Sequence, residues 1–284
     1  MPRSSIIVPS YNRPAALRAC LGALVLQDAG DFDIVVVDDG SPAPLAPVCA
    51  DFVNVRCIRQ DNAGPAAARN RGAREADAQF LAFTDDDCKP RPGWLAALRA
   101  AQGDDAMRLV GGQVENGLPQ NAFATASQDI CDFLYDWFGA SAGGMPFFTS
   151  NNIGCAADRF QEIGGFDETF PRAAAEDREF GIRWRETGGH LRYAPDAIID
   201  HFHAMTLRRY WRQHANYGHG AHHLHTVLSA RGSDLPRAEP AAFYAGLVTR
   251  PMREHGVIRG AGSSVLAAIS QAAMVVGYLS YGRR

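Results

Sequence analysis

Three consecutive carboxylates, Asp85, Asp86 and Asp87, end the apolar run of "FLAFTDDDCKP". A second acidic pair, Asp38-Asp39, ends "FDIVVVDDGS". Like charges this close repel, so something must neutralise them. Acids at strand ends are commonly solvated turn formers or helix caps, and for one pair that explanation suffices. Two such clusters on alternating strands point instead to a hard divalent cation held by carboxylates, with a diphosphate in its remaining positions. A third pair, Glu176-Asp177 in "AAAEDREFGIRW", reads two ways. It is favourable charge at a helix start, or a general base able to take a proton from an attacking hydroxyl. Taken alone, the first is the simpler.

Other polar residues are less specific. Arg69 and Arg71 in "DNAGPAAARNRG" lie two apart on a helix and face differently; one can salt-bridge on the surface while the other reaches a phosphate. His201 and His203 alternate on a strand, so only one easily joins a given site. His219, His222, His223 and His225 lack a consistent acid or Cys partner and read as a polar helix face. Trp94, Trp137, Trp184 and Trp211 read as core or pocket walls.

The elements that must position these residues alternate. "SSIIVPS", "FDIVVVDDGS", "VRCIRQ" and "QFLAFTDDD" read as strands; "RPAALRACLGALVLQ", "GPAAARNRGAREADA" and "PGWLAALRAA" read as helices between or after them. The continuous β-branched run before Asp38 fits a parallel strand buried on both faces. Strand–helix alternation implies an α/β fold with a mostly parallel central sheet flanked by helices. Ligands of such sheets sit beyond the carboxyl ends of the strands, where both acidic clusters fall. In the second half, "MRLVGGQVEN" and "LRYAPDAIIDHFH" read as strands and "QDICDFLYDWFG" as an aromatic helix. A soft boundary falls near residue 110, within one continuous sheet, and the chain ends in a C-terminal helical extension.

Composition excludes several classes. The 284 residues are 46% hydrophobic and 21% charged with a net charge of −3, so a real core is available and no basic field argues for nucleic acid. Six cysteines at irregular spacing, without a C-x-x-C pair, argue against structural zinc or a disulfide framework and for buried thiols in a reducing compartment. "MPRSSIIVPSYNRP" is not a signal peptide, which places the chain in the cytoplasm. "GAGSSVLAAISQAAMVVGYLSYG" approaches the length of a membrane span without any charge, but is rich in Ser, Ala and Gly. The first reading is a terminal helix packed on the protein or on a second copy. The alternative is a peripheral contact at the inner face of the cell membrane, and a true span comes third.

The motifs "SIIVPSYNRP", "IVVVDDGS", "NAGPAAARNRG", "FLAFTDDDCKPRPGWL", "IGGFDE", "AAEDREFGIRWRETGG" and "DHFHAMTLRRYWRQHANYG" occur in this order. Together they closely resemble the family 2 glycosyltransferases, with the nucleotide-sugar-binding GT-A fold, over roughly residues 4 to 225. The resemblance implies a domain at 1–225, with a nucleotide-sugar half (1–110) and an acceptor half (111–225), and a helical tail at 226–284. It implies transfer of a sugar from a nucleoside diphosphate, UDP first, to a hydroxyl of a glycan or lipid-linked acceptor, with inversion, in surface polysaccharide or glycolipid assembly. Pro9, Tyr11 and Asn12 would surround the nucleotide. Asp39 would hydrogen-bond the base with Asp38 in support, and Arg69 would approach the diphosphate. Asp85 and Asp87 match the D-x-D acids. Asp87 would bind Mg²⁺ or Mn²⁺, Asp85 the ribose or a metal-bound water, and Asp86 would be the spacer between them on the nucleotide side. His201 would stand near the metal, with His203 as the fallback. Asp177 would be the general base, with Glu176 beside it. "GASAGGMPFF" could supply a lid. The "QxxRW" motif and multiple spans of processive synthases are absent, which favours single additions. Two rivals remain: a nucleotidyltransferase, against which the missing Gly-rich basic loop counts, and a non-catalytic nucleotide-sugar-binding homologue, against which Asp87 and Asp177 count.

Overall fold

The computed structural model describes residues 3–281 apart from 29, 141–143, 171–173 and 237 and the side chain of 259. The chain divides into two compact units. The first comprises Met1–Glu115, Met145–Pro171 and Glu176–Phe202, and holds an eight-stranded sheet. Its first half is wound as parallel strands with helical crossovers: β1 (Ser4–Ser10), α1 (Pro14–Leu24), β2 (Phe32–Asp39), α2 (Ala46–Cys49), β3 (Val55–Gln60), α3 (Pro65–Glu75) and β4 (Phe80–Phe83). Then follow β5 (Cys88–Pro90), α4 (Trp94–Gln102), β6 (Arg108–Asn116), α5 (Ala122–Gly139), β7 (Ile153–Ala156), α6 (Ala157–Glu162), α7 (Glu176–Glu186) and β8 (His190–His201).

The sheet order is β3-β2-β1-β4-β7-β6-β8-β5. The parallel register expected from the sequence holds from β3 to β4. Beyond it the pairing turns antiparallel, at β4–β7, β7–β6 and β8–β5, so the sheet is mixed. β5 is a three-residue strand that no sequence pattern announces. It forms because a turn after β4 returns the chain to β8, with Cys88 opposite His201.

The core follows from the strand patterns. Ile34 to Val37 are fully buried, as a strand covered on both faces requires. Leu17, Cys20, Leu21 and Leu24 form the buried stripe of α1, and Pro14 opens that helix where its missing N–H costs nothing. Pro9 is buried inside β1 opposite Val37, rather than in the loop beyond the strand. Its missing N–H is tolerated because β4 is matched only as far as Ile7. Gly72 sets the height of α3: a Cβ there would lie 2.5 Å from Ile7 Cγ2 and 3.1 Å from Val37 Cγ2. Without a side chain at that point α3 lies flush on β1 and β2, which carries Arg69 down to the strand ends.

The second unit, Asn116–Gly144, Arg172–Ala175 and His203–Arg284, is helical. Besides α5 it contains α8 (Leu207–Arg231) and α9 (Ala241–Tyr281), the latter broken at Gly256, where φ is 76°. The division expected at residue 225 falls inside α8. Gly218 and Gly277 bring α8 and α9 together, since a Cβ on either would lie 2.0 Å from a carbonyl oxygen of the other helix. The histidine face of α8 meets the end of α9: His219 bonds Ser280 at 3.1 Å, His223 bonds Tyr281 at 2.8 Å and His225 bonds Tyr278 at 2.9 Å. Among the described residues, one helix segment, Gly260–Tyr281, is long and apolar enough to cross a membrane. Ala267, Ser270 and Ala273 on it are buried, while Val265, Val275, Val276 and Leu279 are exposed.

Candidate active site

The carboxyl ends of β1, β2 and β4 carry the polar groups, and the two acidic clusters are neutralised differently. At the end of β2, the Asp38 carboxylate accepts from the N–H groups of Ser41 (2.9 Å) and Leu45 (3.1 Å) and from Arg59 (2.6 Å). Burial would raise its pKa, but these bonds and the Arg59 charge hold it below the ordinary value. Asp39 accepts from Gln60 (2.8 Å), Asn62 (3.2 Å) and the N–H groups of Ala63 (2.8 Å) and Gly64 (2.9 Å). Both acids are buried, and each pins the loop that follows it in space.

The triplet after β4 sits in a tight turn, closed by a bond from Cys88 N–H to Asp85 C=O. Each member of it turns a different way. Asp85 pairs with Arg69 at 2.6 Å. Asp86 points inward, accepting from Ser10 Oγ (2.6 Å) and Arg13 (2.9 Å). Burial pushes Asp86 up to about 6, against the Arg13 charge and the Ser10 hydrogen bond, with Asp87 and Asp85 adding to the rise. The variable middle position is therefore a buried anchor between β1 and β4 rather than a spacer. Asp87 accepts from Arg13 (2.9 Å) and lies 3.4 Å from His201 Nε2. Burial would lower the His201 pKa, but the hydrogen bond and charge of Asp87 outweigh it and raise it.

His201 reaches Asp87 because β5 pairs with β8 and the Phe202 N–H donates to Asp87 C=O at 2.8 Å. His203 belongs to the second unit, where its charge acts on buried His214. Asp87, Cys88 and His201 offer ligand atoms within 4.8 Å of one another, and Asp85 is not part of that group. The Cys88 thiol is fully buried and burial drives it well above the ordinary thiol range, so it stays protonated and is no ligand for a hard ion.

The remaining predicted pair arrives from far along the chain. Arg69, with its side chain 3% exposed, lies between Asp85 and Glu176, the latter at 3.4 Å. Its Nε is buried without a hydrogen-bond partner among the described residues. Glu176 and Asp177 open α7 directly after Ala175, whose φ of 72° is strained for a residue with a Cβ. Burial pushes both carboxyls up, Glu176 to about 7 with Asp177 adding to the rise, and Asp177 despite the nearby Arg178 and Arg69 charges. Asp177 Oδ1 accepts the Arg178 N–H at 2.8 Å.

Tyr11 is 48% exposed beyond β1, and Asn12 holds a left-handed φ of 55° while its N–H donates to Ser41 Oγ. Arg71 is a surface residue paired with Glu75 at 2.7 Å. The centre of the expected lid, 141–143, lies outside the described residues.

Sequence reasoning missed Arg13 and Ser10. Both lie in "VPSYNRP", beside Pro9, Tyr11 and Asn12. A cation at the exit of β1, facing three acids on the neighbouring strand, was the available signal. Of the tryptophans, Trp94 and Trp184 are core, while Trp211 is 40% exposed.

Comparison with known proteins agrees with this geometry. Pre-mycofactocin glycosyltransferase of Mycobacterium tuberculosis is 31% identical over 227 residues, covering 76% of this chain and 46% of that protein. Validoxylamine A glucosyltransferase of Streptomyces hygroscopicus subsp. jinggangensis is 31% identical over 221 residues, covering 66% of this chain and 52% of that one. The chain thus spans about half the length of these curated relatives or less. Among solved structures, the mannosyltransferase PcManGT from Pyrobaculum calidifontis, in complex with GDP-Man and Mn²⁺, superposes with a TM-score of 0.68 at 17% identity, covering 99% of this chain and 87% of that one. GalNAc-T7 with UDP, GalNAc and Mn²⁺ gives 0.60 at 15% identity, covering 96% and 55%. At those identities the likeness establishes the GT-A architecture alone. Residues 5–212, which carry all of the sheet but its first residue and every group at its acidic edge, match the model of glycosyl transferase family 2, and it is to that family that the chain belongs.

Proposed function

We propose that the chain is an inverting, metal-assisted glycosyltransferase that moves a sugar from a nucleoside diphosphate to an acceptor hydroxyl. The observation that carries this reading is the bridge made by Arg69. One buried guanidinium holds Asp85 of the acidic turn and Glu176 of the α7 start, which sets a candidate base beside a candidate diphosphate site.

The donor set fits a divalent cation. Asp87 supplies a hard carboxylate oxygen and His201 an imidazole nitrogen, a combination suited to Mn²⁺ and acceptable to Mg²⁺. These two residues would hold the ion, which when bound would offset the charge growing on the departing diphosphate. Asp85, turned to Arg69, is the acid left to meet the ribose.

Tyr11 and Asn12, exposed past the end of β1, would touch the nucleotide, with UDP the first candidate. Asp38 and Asp39 act on it through the loops they pin; a direct bond from Asp39 to the base needs one of its present bonds to open. Arg69 fixes Asp85 and Glu176, and its charge keeps two acids close together. Asp177 then takes the proton of the acceptor hydroxyl. Its Oδ1 is held by the Arg178 N–H, and burial makes the carboxylate a stronger base than one in water. The acceptor oxygen bonds to the anomeric carbon as the bond from that carbon to the diphosphate oxygen breaks on the opposite face, which inverts the configuration. Glu176 tunes this step by its charge.

The acceptor class is a glycan or lipid-linked sugar of surface polysaccharide or glycolipid assembly. The exposed apolar side of α9 would suit peripheral contact with a membrane carrying it.

A melting-temperature screen against nucleoside diphosphates and their sugars, with and without Mn²⁺, tests the reading, since a bound ligand raises the melting temperature by mass action. UDP with Mn²⁺ should raise it more than either alone. No rise with any nucleotide defeats the proposal.

A further inference from the structure

His201 meets Asp87 across a very short strand pair. β5 has three residues and lies at the edge of the sheet beside β8. Their ladder matches Cys88 to His201, Lys89 to Asp200 and Pro90 to Ile199. Backbone bonds extend it by one residue at each end, from Arg91 N–H to Ile198 C=O at 2.9 Å and from Phe202 N–H to Asp87 C=O at 2.8 Å. A ladder this short sets its register weakly. A slip of one residue would carry the His201 ring to the other face of the strand, away from Asp87.

One side-chain contact crosses the same pair. The Lys89 ammonium lies over the Phe202 ring, 4.2 Å from its centroid. By register Lys89 stands opposite Asp200, and Phe202 opposite Asp87, so the contact is a diagonal on one face of two antiparallel strands, within reach of a long side chain. Asp200 is taken by Arg91 at 2.7 Å, and among the described residues no acid ion-pairs with Lys89. The ammonium is held instead by the negative face of the ring. Phe202 is also the last residue of the first unit, so no later strand of that unit fixes the chain beyond His201.

We propose that Lys89 and Phe202 form a clasp that fixes the register of β8 on β5 and so holds the His201 imidazole against Asp87 for the cation. Both are positioning residues, acting through His201. This role rests on the reading of Asp87 and His201 as ligands of a divalent cation. Charge alone would give Lys89 the opposite effect. An ammonium two residues from Asp87 repels a divalent ion, so removing it would strengthen binding if its field were all that mattered. The clasp reverses that sign, because the ion binds only the register in which both ligands converge, and its apparent affinity falls with the share of molecules in that register.

The test uses the full chain. Lys89 is its single lysine, so reductive methylation with isotope-labelled formaldehyde marks one side chain and keeps its charge. In the metal-free wild type the methyl signal should lie upfield of free dimethyllysine, shifted by the Phe202 ring, and should return to the free position in Phe202→Leu. An unshifted wild-type signal overturns the proposal without recourse to any variant. Binding of Mn²⁺ is then read by electron paramagnetic resonance. Lys89→Met, which keeps the apolar stem, and Phe202→Leu should each bind Mn²⁺ about threefold more weakly than wild type, and the double variant no more weakly than either. Lys89→Arg, whose guanidinium can also sit on the ring, should bind as wild type does. Equal or tighter binding in Lys89→Met removes the clasp and leaves the cation site standing. A wild type that binds no Mn²⁺, or an Asp87→Ala variant that binds it unchanged, removes the ligand reading and the clasp with it.

Discussion

The two acidic clusters look alike along the chain and differ in three dimensions. Asp38 and Asp39 are neutralised largely by backbone N–H groups and amides of the loops that follow. Asp85, Asp86 and Asp87 are neutralised by the side chains of Arg69, Arg13 and His201. The first arrangement stabilises the ionised acids and is architectural: Asp38 sits below the ordinary carboxylate value. The second leaves charge that a cation or a phosphate can exchange for, and Asp86 is raised to about 6. What separates scaffold from site is that backbone N–H groups hold Asp38 and Asp39 in addition to the Arg59 charge, whereas side chains alone hold the triplet. A backbone N–H cannot swing away, whereas an arginine 53% exposed like Arg13 can.

This contrast can be broken by substitution. Asp177→Asn, beside the second cluster, should cut turnover by about 10²–10⁴-fold while nucleotide binding persists. Product formation against nucleotide-induced melting shifts separates the two, and wild-type turnover in the variant removes Asp177 as the base. Asp87→Ala should lose the Mn²⁺-dependent part of the nucleotide melting shift with little change in the melting temperature of the free protein. Asp38→Ala should do the reverse, costing about 3–5 kcal/mol in urea unfolding because Arg59 and two buried N–H groups lose their acceptor. Equal stability losses in the two variants would erase the distinction between the clusters.

Smaller effects refine it. Turnover should fall on the acid side as the Glu176–Asp177 pair gains a proton, in the region of pH 7 suggested by the raised Glu176. Both groups are acids with raised values, so the active, ionised base is lost as pH falls. Glu176→Gln removes a negative neighbour of Asp177 and should move that limb to lower pH, by about one unit. A limb that stays in place, or moves up, denies the coupling. Gly72→Ala forces α3 off β1 and should destabilise by about 1–3 kcal/mol, read from the urea midpoint.

Much of this was legible beforehand. The parallel half of the sheet could be read because its strands are continuous apolar runs with helical segments between them. The antiparallel half could not: β5 is three residues long, and its pairing with β8 depends on a turn rather than on composition. Arg13 escaped notice because its partners lie far along the chain, at Asp86 and Asp87. Asp86 escaped because a central residue of a D-x-D pattern carries no sign of its direction. The apolar C-terminal segment was open to several readings by length. Gly218, Gly277 and the His–Tyr contacts settle one face of it onto α8 and leave the other exposed.

Alternation, apolar runs and the order of the motifs are local properties, and they determined that two acidic clusters would end buried strands in a glycosyl transferase family 2 sheet. Which carboxylate faces which partner was decided only in three dimensions. Past the end of β4 the chain enters a turn, where the two-residue periodicity of a strand no longer dictates direction. From there, the register of Cys88 on His201 and the seat of α3 over Gly72 divide the triplet among His201, Arg13 and Arg69.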